Sequence, residues 1–261
     1  MSVTLKKPDE LVLMRQAGRI VARVHAALRE AVRPGITTAE LDKIARDVIR
    51  KHDAIPTFVG HHPKGIKTAY PAAITASINE QMVHGIPGTR ALKEGDVVSL
   101  DCAATYKGYV GDAAFTVGVG AIPPEAQRLI AVGEASLVAG IAAARAGNEI
   151  SDIAEAIHAV VEAAGFVVPR DYTGHGVGRQ MWEPPSVPNW WPKGRRTRRW
   201  RNYKLEPGMT LALEPMVIMG RQEVKTLADE WTVVTVDNSL AVHCEHTIAI
   251  TDGDPLILTL P

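Results

Sequence analysis

Apolar residues recur at helical spacing through the first third of the chain. Leu11, Met14, Gly18, Val21 and Val24 fall on one face, and the pattern runs on through Leu28 until Pro34 and Gly35 stop it. A second helix opens at Thr37, with Glu40 three residues on as a capping-box partner, and carries Leu41, Ile44 and Val48 on one face. The same order returns downstream. LIAVGEASLVAGIAAARAG predicts a long helix ended by a glycine, and SDIAEAIHAVVEAAG predicts a capped helix after it. Setting Gly35 over Gly147 puts Glu40 on Asp152 and Leu41 on Ile153. The interval, about 110 residues, is too long for a solenoid. It reads as two related halves, roughly 1–120 and 121–261, folded face to face within a single domain. Chance likeness between two amphipathic helix pairs is the alternative. Helix pairs followed by antiparallel strands indicate an α+β fold, and no Ser/Gly-rich linker separates the halves.

The strands carry acids where strands should be apolar. DVVSLDCAATYKGYVGDAAFTVGVG reads as a buried hairpin turning at residues 106–109, yet it contains Asp101 and Asp112. Their eleven-residue separation can place both carboxylates on one face, while Cys102 points to the other as a small buried hydrophobe. Glu214 interrupts LALEPMVIM, and Glu245 interrupts VHCEHTIAI. Ionised carboxylates are rarely buried unpaired, because stripping them of water costs several kcal/mol. A divalent metal pair is a partner that four such acids could share. His175, between glycines in TGHGVGR, adds an imidazole to the set. Oxygen-rich donors of this kind suit Mn, Fe or Co rather than a thiolate-rich structural zinc site.

Composition narrows the class. A chain of 261 residues buries roughly 70–75% of its unfolded surface. Lys+Arg and Asp+Glu balance at 29 each, so no global field selects nucleic acid or membrane. Two cysteines, Cys102 and Cys244, suit a reducing compartment rather than a disulfide framework. No apolar stretch approaches a membrane span and the N-terminus lacks a signal-peptide core, so a cytoplasmic protein is expected. Nothing demands more than a monomer.

The order Asp101, Asp112, His175, Glu214, Glu245 resembles the five-ligand signature of the pita-bread dinuclear metallohydrolases. SINEQMVHGIPG, DCAATYKGYVGDAAFT, GHGVGR, LALEPMV and CEHTIAI are similar to type I (bacterial-type) methionine aminopeptidases over essentially the whole chain. The resemblance implies a pseudo-twofold fold with two divalent ions (Mn, Fe, Co or Zn) held by those five residues where the halves meet. It implies that Glu214 also accepts the proton of the attacking water, and that His84 stabilises the tetrahedral intermediate or the leaving nitrogen. Tyr70, Met181 and Trp231 match positions lining a methionine pocket, with core packing a rival explanation for Met181. The implied activity is removal of initiator methionine from nascent polypeptides when the second residue is small.

Two departures qualify the likeness. Relatives carry a second histidine seven residues after the metal-binding one, reaching the substrate carbonyl; here Trp182 stands there, able to donate one hydrogen bond but not to titrate. The preceding segment FVGHHPKGIKTAYPAAIT is longer than usual, and its His61 and His62 read as surface residues. Second, WWPKGRRTRRWRNYK holds Arg195, Arg196, Arg198, Arg199 and Arg201 beside Trp190, Trp191 and Trp200. A solvated loop is one reading. The other is a ribosome-docking patch whose aromatics stack on RNA bases. Rival functions are an Xaa-Pro aminopeptidase of the same fold and a catalytically weakened ribosome- or RNA-binding protein.

Overall fold

The computed structural model describes residues 3–192 and 199–261. Four helices frame it: α1 (Pro8–Ala31), α2 (Thr38–Lys51), α3 (Pro124–Ala143) and α4 (Ile150–Ala163). α2 begins as its sequence predicts, with the Glu40 amide donating to the Thr37 hydroxyl and the Thr37 amide to Glu40. α4 has the equivalent device, the Glu149 amide donating to Asp152.

The repeat is structural. Gly35 and Gly147 both sit at positive φ, 90° and 94°. The Gly35 amide donates to the Leu92 carbonyl at 2.8 Å, and the Gly147 amide to the Leu205 carbonyl at 3.0 Å. Leu92 answers to Ile36, and Leu205 to Asn148. Three residues after each leucine another left-handed glycine follows, Gly95 at φ 90° and Gly208 at φ 91°. Counting six further residues reaches Asp101 in the first half and Glu214 in the second. The two acids thus follow matching turns at the same offset along the chain.

Val97–Tyr106 and Tyr109–Gly118, each of ten residues, form a hairpin closed by Lys107 and Gly108, both at positive φ, as a tight two-residue turn requires. Its register pairs Asp101 with Ala114 and Ala103 with Asp112. Both aspartates consequently share a face, and Cys102 takes the other, buried among Ile20, Val24, Leu41 and Ile74 under the first helix pair. α1 crosses that outer face very closely. A Cβ at Gly111 would stand 2.5 Å from the Gly18 nitrogen, so the crossing depends on glycine.

The second sheet has five strands in the order Leu256–Ile257, His246–Ala249, Thr210–Leu213, Thr173–Gly176, Glu183–Pro188. α3 and α4 cover it through Leu137, Ile141, Ile153 and Ile157, packed on Leu211, Leu213 and Ile248. Contrary to the expectation from sequence, one helix among the described residues is long and apolar enough by length and composition to cross a membrane: α3, of 20 residues. Here it is a helix of the fold. Its buried residues recur at three- and four-residue spacing, and Gly140 lies directly against Ile157 of α4. The halves are sewn together beside the hairpin. Ala114 and Glu245 exchange backbone hydrogen bonds at 3.3 and 2.9 Å, and the Thr247 hydroxyl donates to the Asp112 carbonyl at 2.7 Å.

Candidate metal centre and substrate chamber

The inner face of the hairpin opens on a chamber of about 500 Å³. Asp101, Asp112, His175, Glu214 and Glu245 all line it. The strand Thr173–Gly176 supplies His175, and its Nε2 lies 3.5 Å from Glu214 Oε1 and 3.8 Å from Asp112 Oδ2. Ligand atoms of Asp112, His175 and Glu245 fall within 4.8 Å of one another. Asp101 Oδ1, Asp112 Oδ1 and Glu245 Oε1 are buried with no hydrogen-bond partner.

Electrostatics follow from that crowding. Burial, opposed by His243 and reinforced by Glu214, pushes the Asp101 carboxyl up to about 7. Burial and then the neighbouring carboxylates raise Asp112 and Glu245 well above the usual range. A set of buried acids that repel one another, with oxygens left unbonded, fits a divalent cation pair, because only added positive charge lets all of them ionise.

His243 was not foreseen. It is buried, with Nε2 3.5 Å from Glu214 Oε2 and 3.9 Å from Glu245 Oε2. Burial alone would lower its pKa, but Glu214 and Asp101 outweigh burial and raise it. Strand alternation was the available signal, since His243 and Glu245 flank Cys244 and so share a face.

His84 also lines the chamber, at φ 60°, a left-handed conformation uncommon for a residue other than glycine. Burial lowers its pKa to about 4, so the ring is neutral. The adjoining turn is clamped from below by Tyr70, whose hydroxyl donates to the Gly85 carbonyl at 3.0 Å and stands 3.2 Å from that of Ile74. Tyr70 thus supports the His84 turn as well as lining the chamber. Met181, Trp182 and Trp231 line it too, together with Phe58 and Tyr172, which sequence did not single out. Tyr70 packs edge-on to Trp231 at 5.0 Å and to Phe58 at 6.1 Å. His62 is exposed, as expected, but His61 is not simply a surface residue. It is half-buried in the chamber wall, its ring 4.2 Å from that of Trp182.

Of the arginine-rich segment, Arg195, Arg196 and Arg198 lie outside the described residues. Arg199 pairs with Asp171 at 2.6 Å, and Arg201 lies over the Tyr203 ring. The tryptophans pack on one another. Trp200 is buried, with Trp190 and Trp191 at 5.3 and 6.1 Å from it, and Arg170 caps Trp190.

Residues 12–252 match the model of metallopeptidase family M24. A methionine aminopeptidase of Clostridium acetobutylicum is 47% identical over 99% of this chain and 99% of its own. The crystal structure of methionine aminopeptidase from Thermotoga maritima superposes with a TM-score of 0.92 at 38% identity, covering all of both chains. An Xaa-Pro dipeptidase from Bacillus anthracis shares the pita-bread fold alone, at 20% identity and a TM-score of 0.76, and this chain spans 61% of it. Matched end to end by methionine aminopeptidases and only in fold by Xaa-Pro enzymes, the chain belongs to metallopeptidase family M24, within its methionine aminopeptidase branch.

Proposed function

We propose that the protein is a cytoplasmic aminopeptidase that removes initiator methionine from nascent polypeptides whose second residue is small. One observation carries the reading: buried carboxylate oxygens without protein partners stand beside a chamber walled by Phe58, Tyr70, Met181 and Trp231. Polarisable and aromatic surface of that kind suits a thioether side chain. The full-length likeness to methionine aminopeptidases supports the same substrate.

Asp101, Asp112, His175, Glu214 and Glu245 would hold two divalent ions. When bound, such ions lower the pKa of water and polarise a carbonyl. Glu214 Oε2 would accept the proton of the attacking water, with His243 at 3.5 Å steadying the carboxylate. Neutral His84 would donate its ring N–H to the tetrahedral oxygen or the leaving nitrogen. The substrate's α-amine would find the carboxylate cluster, which only a chain terminus can reach. His84 and the ligands Asp101 and Asp112 come from residues 1–120, and the ligands His175, Glu214 and Glu245 from 121–261. That division supports one catalytic domain built of two halves.

The assay is methionine release from Met-Ala-Ser, with Ala-Pro as control, using Mn²⁺, Co²⁺ or Fe²⁺ in turn. Release from Met-Ala-Ser alone is expected. Cleavage of Ala-Pro in its place would sink the assignment. Ribosome docking through residues 195–201 is a finer part of the proposal, resting on charge rather than on base stacking. Neutralising the five arginines should reduce salt-sensitive co-sedimentation with ribosomes; unchanged co-sedimentation would end the idea.

A further inference from the structure

His61 stands in the wall of the chamber. Its ring lies tilted against Trp182 at 4.2 Å and edge-on to Trp231 at 6.1 Å. Trp182 in turn lies 6.0 Å from His175, and Trp231 lies 6.5 Å from His84. His61 therefore joins the wall beside the carboxylates to the wall of the apolar pocket.

The position is built. The His61 amide donates to the Phe58 carbonyl at 3.0 Å, and its carbonyl accepts from the Tyr70 amide at 2.8 Å. Further along the loop, the Lys67 amide and Thr68 hydroxyl donate to Glu230 at 3.0 and 3.3 Å, and the Trp231 indole donates to the Thr68 carbonyl at 3.0 Å. Two indoles thus hold the imidazole, yet its ring nitrogens make no hydrogen bond to the described residues.

A peptide entering the chamber loses water from its backbone carbonyls and needs donors in exchange. Phe58 and Met181 have none, and the Trp231 donor is already engaged. The His61 ring N–H and the exposed Trp182 indole stand side by side in that wall, between the carboxylates and the apolar pocket. We propose that His61 is a substrate-binding residue, donating its ring N–H to the backbone carbonyl of the residue that follows the methionine. The inference rests on the aminopeptidase reading. Burial and then His62 lower the His61 pKa, which keeps the ring neutral with one donor and one acceptor.

The test compares wild type, His61→Phe and His61→Asn on Met-Ala-Ser and on methionine p-nitroanilide, which lacks the second residue's carbonyl. Phenylalanine keeps a ring against Trp182 but removes the donor, whereas asparagine restores an N–H. His61→Phe should lose about tenfold in kcat/KM on Met-Ala-Ser, mainly through KM, as expected for one lost hydrogen bond. The anilide should be cleaved within about twofold of wild type, and His61→Asn should recover much of the peptide loss. Equal losses on both substrates, or full peptide activity in His61→Phe, would overturn the proposal. Wild type inactive on both substrates would instead remove the aminopeptidase reading on which it stands.

Discussion

Asp101, Asp112 and Glu245 each hold a buried oxygen that no protein group bonds, and repulsion between them shapes the chemistry at residue scale. Asp101 takes its proton near pH 7 instead of its ordinary 3.8. Protons and metal therefore compete for the same oxygens. Metal affinity should rise as pH increases from about 4 to about 7, with proton release measurable by calorimetry in buffers of different ionisation enthalpy. A pH-independent affinity across that window would contradict the assignment. Tyr70 offers a second test. Replacing it by phenylalanine removes the donor that clamps the His84 turn, which should lower stability by about 1 kcal/mol. The same change should reduce kcat more than metal affinity, and an unchanged kcat would show that the clamp does not position His84.

Among elements, α1 crosses the hairpin in a close backbone contact. Gly111→Ala would force a methyl group to within 2.5–2.8 Å of the α1 backbone at residues 17 and 18. Neither backbone can yield cheaply, so a loss of about 2 kcal/mol or more is expected in urea unfolding. An unshifted midpoint would mean that the helix simply moves away. Much at this scale was legible in the sequence. The capping box at Thr37 and Glu40, the glycines following the first, third and fourth helical runs, and the shared face of Asp101 and Asp112 all depend on short-range rules. His61 was not legible as a wall residue, because its placement depends on contacts with Trp182, Trp231 and Glu230 far along the chain. The mutual packing of Trp190, Trp191 and Trp200 was hidden for the same reason, since local composition does not reveal it. His243 was within reach, since the alternation that exposed Glu245 placed it alongside.

Across the whole molecule, the site joins the two halves, so its occupancy and the stability of the fold are linked. Unmetallated, the chain carries buried acids whose raised pKa values favour the folded state at low pH. For Asp101 that contribution is fully present below about 3.8 and is lost as pH rises through about 7. Metal-free protein should therefore gain stability when pH is lowered from about 7 toward 5. Metallated protein should not follow it, because bound cations hold the carboxylates ionised. At a free metal concentration of about a thousand times Kd, binding contributes roughly 4 kcal/mol, so chelation should lower Tm by several degrees. An identical Tm with and without chelator would argue that no ion joins the halves.

The most direct measurement is methionine release from Met-Ala-Ser as Mn²⁺ is titrated into chelator-treated protein, with Asp112→Asn alongside. Turnover that is absent without metal, rises with bound Mn²⁺, and is reduced at least a hundredfold in Asp112→Asn is the expected result. Turnover that survives chelation, or that Asp112→Asn leaves intact, would contradict a reaction carried by ions held between Asp101, Asp112, His175, Glu214 and Glu245.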